Sequence, residues 1–173
     1  GTLGQTPATS GTGKYKIDAG YATTIFHGGA VSSTAGYIVE GQGTADNPMI
    51  GVLNGIFYNA ATTLKPTFSN HYVQVTPANS EDIDAFVFDN PQQQYVVATD
   101  AAVAQSGYLE TYDMNASAGS TTTGKSSSTL DIGDTSADAA AFRLLRSAED
   151  PENDENAAFR SVVVCLNLIE LQS

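Results

Sequence analysis

An all-β fold, a compact β-barrel or β-sandwich with little helix, is what this sequence predicts, on three observations. Hydroxyl side chains stand in for charge at the surface: the 173 residues hold fifteen Ser and nineteen Thr, and only 15% are charged, against about 25% in ordinary soluble domains. Apolar and polar residues alternate in several short runs, the period-two mark of half-buried strands. Sixteen Gly and six Pro punctuate those runs as turns do. The length fits one domain. With 41% apolar residues, such a chain buries roughly two-thirds of its unfolded surface.

The elements follow in order. Residues 1–13, GTLGQTPATSGTG, offer no face to bury and predict an extended N-terminal arm, leaving 14–173 as the single β-rich domain. Tyr15 and Ile17 alternate with Lys14, Lys16 and Asp18 as a first strand. Thr24–His27 is a second extended run, closed by the turn residues Gly28-Gly29. Val31 and Gly36–Val39 give a short pair. Met49–Tyr58 is apolar but broken by Gly51 and Gly55, which argues for a strand with a bulge rather than a helix. Tyr72–Val75 and Ala85–Asp89 alternate again, and Gln94–Thr99 reads as the hairpin partner of the latter across Asn90-Pro91. Asp100–Gln105 is the one helical turn expected, with Asp100 as its N-cap. A polar loop spans 115–129, strand character returns over Leu130–Arg146, and five acids crowd Glu149–Glu155 as a solvated loop. The last strand, within Phe159–Leu171, is apolar on both faces: Val162, Val164, Leu166 and Leu168 on one, Val163, Cys165 and Ile169 on the other. Such a strand is covered on both faces, by its own chain or by a second subunit.

Composition narrows the function. Seven basic against nineteen acidic residues give a net charge of −12, which excludes a dedicated binder of naked nucleic acid. One cysteine, Cys165, gives neither a disulfide framework nor a paired metal site, and its apolar run makes it a buried structural thiol. No apolar run approaches the ~20 residues of a membrane helix, and the first thirteen residues lack the apolar centre of a signal peptide. A soluble protein without membrane contact is expected.

Gly119–Ser126 spells G-x-x-x-x-G-K-S, the string of a nucleotide-binding loop. That loop works only when a buried strand delivers the first Gly and a helix starts at the Lys; neither flank has that pattern here. His27 and His71 sit in no nucleophile elbow or metalloprotease helix. The carboxylate groups Glu81/Asp82/Asp84 and Asp131/Asp134/Asp138 lack both the calcium-loop spacing and the Trp platform of a sugar cleft. The N-x-S at Asn115 is read as fortuitous. No catalytic residue, cofactor or metal is expected.

Three stretches carry a resemblance: Ala19–Gly28 (AGYATTIFHG), Gly51–Tyr58 (GVLNGIFY) and Lys65–Asn70 (KPTFSN). With the Gly-Ser-Thr-Thr-Thr-Gly segment, Phe142–Leu145 and the Val-rich last strand, they resemble the capsid decoration, or cement, proteins of tailed bacteriophages, over roughly Tyr15–Glu170. The matching positions are Gly20, Tyr21, Phe26, Asn54, Gly55, Tyr58, Lys65, Pro66, Thr67, Phe68, Ser69 and Asn70. Two places depart: His71-Tyr72 stands where an aromatic followed by Pro is usual, and Gly28-Gly29-Ala30 where Asp and Pro are usual.

The resemblance implies a β-tulip-like domain on the outer surface of a virion head. It would act without catalysis, clamping neighbouring major capsid proteins as a homotrimer, although dimers also occur. The arm, with Leu3, Gln5, Thr6 and Pro7, would reach the shell, and Val163, Cys165 and Ile169 would meet a neighbouring subunit. The rival reading is a carbohydrate- or receptor-binding module of a fibre or cell surface, stacking sugars on Tyr37, Tyr58, Tyr72, Tyr108 or Tyr112. A carboxylate-pair hydrolase is a weaker third.

Overall fold

A computed structural model describes residues 11–44, 47–135, 140–154 and 156–167. It is all-β: two antiparallel sheets in a compact, sandwich-like pair that does not close into a barrel. The strands are β1 (Gly13–Ile17), β2 (Ala30–Thr34), β3 (Tyr37–Glu40), β4 (Gly51–Asn59), β5 (Pro66–Ser69), β6 (Ile83–Phe88), β7 (Gln94–Ala98), β8 (Thr111–Asn115), β9 (Thr129–Thr135), β10 (Phe142–Ser147) and β11 (Ser161–Leu166).

The first sheet runs β1-β6-β4-β2-β3, with β5 added to β4. The nine-residue β4 holds it together. One edge pairs with β6, and the other is shared between β2 near its start and β5 near its end. The expected bulge is there: Leu53 faces Val87 and Gly55 faces Phe86, so Asn54 is the extra residue. Inward side chains Ile17, Leu53, Ile56, Ile83, Ala85 and Val87 pack with Ile25, Ile38 and Tyr72 as the first core.

The second sheet runs β7-β11-β10-β8-β9 over its own core of Val103, Tyr112, Leu130, Phe142, Leu144, Val162, Val164 and Leu166. Ala30 and Met49, from the first half of the chain, also belong to this core.

Three sequence expectations give way. Gln94–Ala98 is a strand but not the partner of β6, because β1 and β4 already fill both β6 edges; β7 crosses to the second sheet and pairs with β11. No helix begins at Asp100: its Oδ1 accepts from the Ile132 N–H at 2.9 Å, and the single tight turn nearby is Gln105–Gly107. Tyr72–Val75 is not a strand either. Tyr72 alone bridges, to Ile25, and the chain beyond it runs irregularly to Pro77.

Candidate functional site

Several of the residues that the sequence singled out, Phe26, His27, Asn54, Asn70 and His71, meet on one side of the first sheet, where the long loop from β8 to β9 folds back onto it. The bulge turns the Asn54 carbonyl out of the β4–β6 ladder, and His27 Nδ1 lies 2.9 Å from it. A carbonyl only accepts, so Nδ1 carries the proton. The His27 backbone then pairs with the loop: its N–H donates to the Gly124 carbonyl at 2.8 Å, and its carbonyl accepts from Ser126 at 3.0 Å.

Beside it, Asn70 Nδ2 donates to the Thr123 carbonyl at 3.0 Å, which leaves Oδ1 to accept from His71 Nδ1 at 2.8 Å. The His71 ring lies flat over Phe26, with centroids 6.1 Å apart. It fills the place where the resemblance predicts another aromatic. Gly124 sits at φ +72, and a Cβ there would come within 2.4 Å of His71 Nδ1. Only glycine lets the loop come this close in that conformation.

This closure also settles the shape of the nucleotide-loop string. Gly124 donates to Ser120 and Ser120 to Lys125, at 2.7 and 2.9 Å, so the segment is a closed turn. Residues 126–128 run on into β9 rather than starting a helix. The Ser120 and Gly124 amides, which a phosphate cradle would turn toward its ligand, are spent inside the turn.

Lys65–Asn70 forms the outer strand of a hairpin with β4. Phe68 crosses over Gly55, where a Cβ would meet its ring at 2.7 Å, and tilts against Phe86 at 6.4 Å. The missing side chain makes room for the aromatic, yet Phe68 is still 63% exposed and Leu64 at the tip 73%. Lys65 and Pro66 are exposed as well. β5 pairs with no described strand except β4. A strand that holds an aromatic ring outward beside a free edge is a surface made for contact or a liability.

Of the remaining motif residues, Gly20 lies in an exposed turn closed by Asp18 Oδ1 at 2.7 Å. The Tyr21 hydroxyl accepts from the Glu40 N–H at 2.9 Å, and its carbonyl accepts from the Tyr72 hydroxyl. Tyr58 is half-buried and, with Phe57, lines a cleft of about 260 Å³ beside Glu81, Asp82 and Asp84. Two of those carboxylates are engaged: Asp84 takes Lys14 and Lys16 at 2.7 and 2.6 Å, and Asp82 accepts from the Tyr37 hydroxyl at 3.2 Å. Among the described residues no three His, Cys, Asp or Glu converge as metal ligands.

Two of the five candidate stacking tyrosines, Tyr72 and Tyr112, are fully buried and present no face to a sugar. Val163 is 6% exposed within a single chain, so its share of a subunit contact is already covered. Cys165 is half-buried opposite Arg143, and burial pushes its thiol pKa up. Leu3, Gln5, Thr6, Pro7 and Ile169 lie outside the described residues. No described helix is long and apolar enough to cross a membrane. Set against protein-family models, curated proteins and solved structures, the chain matches none of them.

Proposed function

We propose that this chain is a non-enzymatic structural protein of a phage virion, seated on the outside of the head and clamping adjacent major capsid proteins as a homotrimer. One observation carries the reading: Lys65–Asn70, the block on which the resemblance is most specific, lies on an exposed free-edge hairpin that displays Leu64 and Phe68. Residues selected for the interior would be hidden; these are held outward. The closed loop at Asn70 and His71 fixes the base of the hairpin, so the contact surface is preorganised and little ordering entropy opposes docking. A net charge of −12 keeps free subunits soluble and complements basic patches on a shell.

The test is co-sedimentation with purified heads. The wild-type chain is expected to pellet with them and raise their melting temperature. The Leu64→Asp/Phe68→Asp variant should keep its own melting temperature but fall at least about tenfold in occupancy, as loss of two central apolar anchors does. Full occupancy of that variant removes the hairpin from the contact, and absence of wild-type binding removes the reading.

A carbohydrate-binding module is the second reading, favoured by the Phe57–Tyr58 cleft with its polar rim. Binding on a glycan array that disappears in Tyr58→Ala would support it.

A further inference from the structure

β7 is an edge of the second sheet, paired with β11 and with no other described strand. A parallel bridge from Thr99 to Leu130 ties its end to β9. Short of that bridge the two chains part. A groove of about 650 Å³ opens between Val96–Ala98 on one side and Lys125–Thr129 on the other, with His27 and Phe159 also lining it. That volume lies within the roughly 300–1,000 Å³ of small-molecule sites.

The two walls differ in chemistry. On one, Phe159 and Val96 are 70% and 67% exposed. Phe159 is held at φ +62, a conformation that bulky residues avoid. The next residue anchors it: Arg160 is buried, and its carbonyl accepts from the Thr99 N–H at 2.9 Å. Backbone strain that the fold maintains to display an aromatic ring is a mark of a ligand-binding position. On the other wall the residues alternate in use. The Ser126 hydroxyl donates to Ser128, and Ser128 to the Ser117 carbonyl, at 3.1 and 3.4 Å. The hydroxyls of Ser127 and Thr129 meet no hydrogen-bond partner among the described residues. Lys125 pairs with no carboxylate among them either. No Asp or Glu lines the groove, although the chain holds nineteen.

We propose that this groove binds an acidic sugar: a short saccharide whose carboxylate meets Lys125, whose hydroxyls meet Ser127, Thr129 and the free edge of β7, and whose apolar ring face lies on Phe159. Each part answers one property of the ligand. Sugar hydroxyls both donate and accept, as do the serine and threonine hydroxyls and the open backbone of an edge strand. The negative face of an aromatic ring suits the polarised C–H groups of a sugar. Charge sets the class. Lys125 is the one Lys or Arg in the groove, enough for a single carboxylate, whereas a polyanion would be repelled by a chain of net −12. The groove shares no lining residue with the Phe57–Tyr58 cleft, and the inference does not depend on head binding.

The test is an immobilised panel of uronate- and sialate-terminated oligosaccharides, each beside its own carboxyl methyl ester, probed with the full chain. At least one acidic glycan should be retained, with its ester bound about tenfold more weakly or less, as loss of a charge-assisted contact predicts. Lys125→Glu should abolish that binding and Lys125→Arg preserve it. Phe159→Ala should weaken it about fivefold. All three side chains changed are exposed, so the variants should keep the wild-type melting temperature. Failure to retain any acidic glycan overturns the proposal, as does equal binding of acid and ester. Binding that survives Lys125→Glu but disappears in Tyr58→Ala assigns the sugar to the other cleft and overturns it too. A glutamate-rich peptide held as tightly, with the same dependence on Lys125, makes the groove a charge contact and removes the sugar. Co-sedimentation with heads is read separately, so the two proposals fail independently.

Discussion

Asp84 illustrates how much of the surface chemistry is decided by register. Lys16 lies directly across from it on β1, and Lys14, two residues along, shares the same face; both ammonium groups reach the carboxylate. Burial alone would raise its pKa, but the hydrogen bonds and charges of the two lysines outweigh that and hold it below the ordinary aspartate value of 3.8. A folded pKa below the unfolded one stabilises above the unfolded value, and that contribution disappears as pH falls through the folded value. Asp84→Asn should therefore cost stability at pH 7, by about 1 kcal/mol or less because both lysines are more than half exposed. The difference from wild type should shrink as pH falls below about 3.8, the ordinary value, and vanish only below the lower folded value. Urea titrations of both proteins at pH 7 and pH 3 check the sign; a gap that persists unchanged at low pH rules out the ion pair as its source.

The β10–β11 connection shows one polar residue organising an element that its composition marks as solvated. Asn153 Nδ2 lies within hydrogen-bond distance of Ser147 Oγ and of the Ala148 and Ser161 carbonyls, while its Oδ1 accepts from the Ser161 N–H at 2.9 Å. Asn153→Ala should cost about 2 kcal/mol, since several backbone groups lose their partner at once, and a shift in denaturation midpoint measures it. A loss near zero would mean water replaces the amide at no cost. The acidic run itself was plain in the sequence; the asparagine at its centre carried no separate signal. Strands β1 and β6 were legible because period-two alternation reports burial directly, and β4 and β11 because a short apolar run interrupted or bounded by turn residues marks a buried strand. The partner of β7 was not, because pairing depends on which edges are already occupied. The helix expected at Asp100 failed for a related reason: its carboxylate serves the β9 backbone 32 residues away, a partner that local pattern does not register. At the candidate site, Phe26, Asn54, Gly55 and Asn70 stood out in the sequence. Their meeting with Gly124 did not, since it depends on a loop that returns from the other sheet.

At the scale of the molecule, assembly and cooperativity both turn on contacts between distant parts. Val163 is covered within its own chain, so the proposed subunit contact on that face of β11 would have to centre on Cys165. Cys165→Glu places a carboxylate opposite Arg143, which the sheet accommodates, while adding charge to that face; light scattering should report a lower oligomer mass, and an unchanged mass moves the contact elsewhere. Cooperativity follows from the way the two cores are joined. Each sheet encloses its own apolar cluster, which by itself would permit separate unfolding. Several seams oppose this: Ala30 and Met49 insert into the second core, Met114 donates to the Gly43 carbonyl at 2.8 Å, and the Gly124 turn locks onto His27, Asn70 and His71. With packing and hydrogen bonds shared across the boundary, wild-type unfolding is expected to be a single transition. Amides at Leu53 in the first core and Val164 in the second should then exchange with the same opening free energy. Gly124→Val imposes strain of about 1–3 kcal/mol at its left-handed backbone and drives a side chain into His71, so it loosens the clamp while touching neither core. In that variant the two amides should separate, with one sheet opening at lower denaturant than the other. If they still open together, the remaining seams suffice to couple the sheets, and the Gly124 turn serves the hairpin alone.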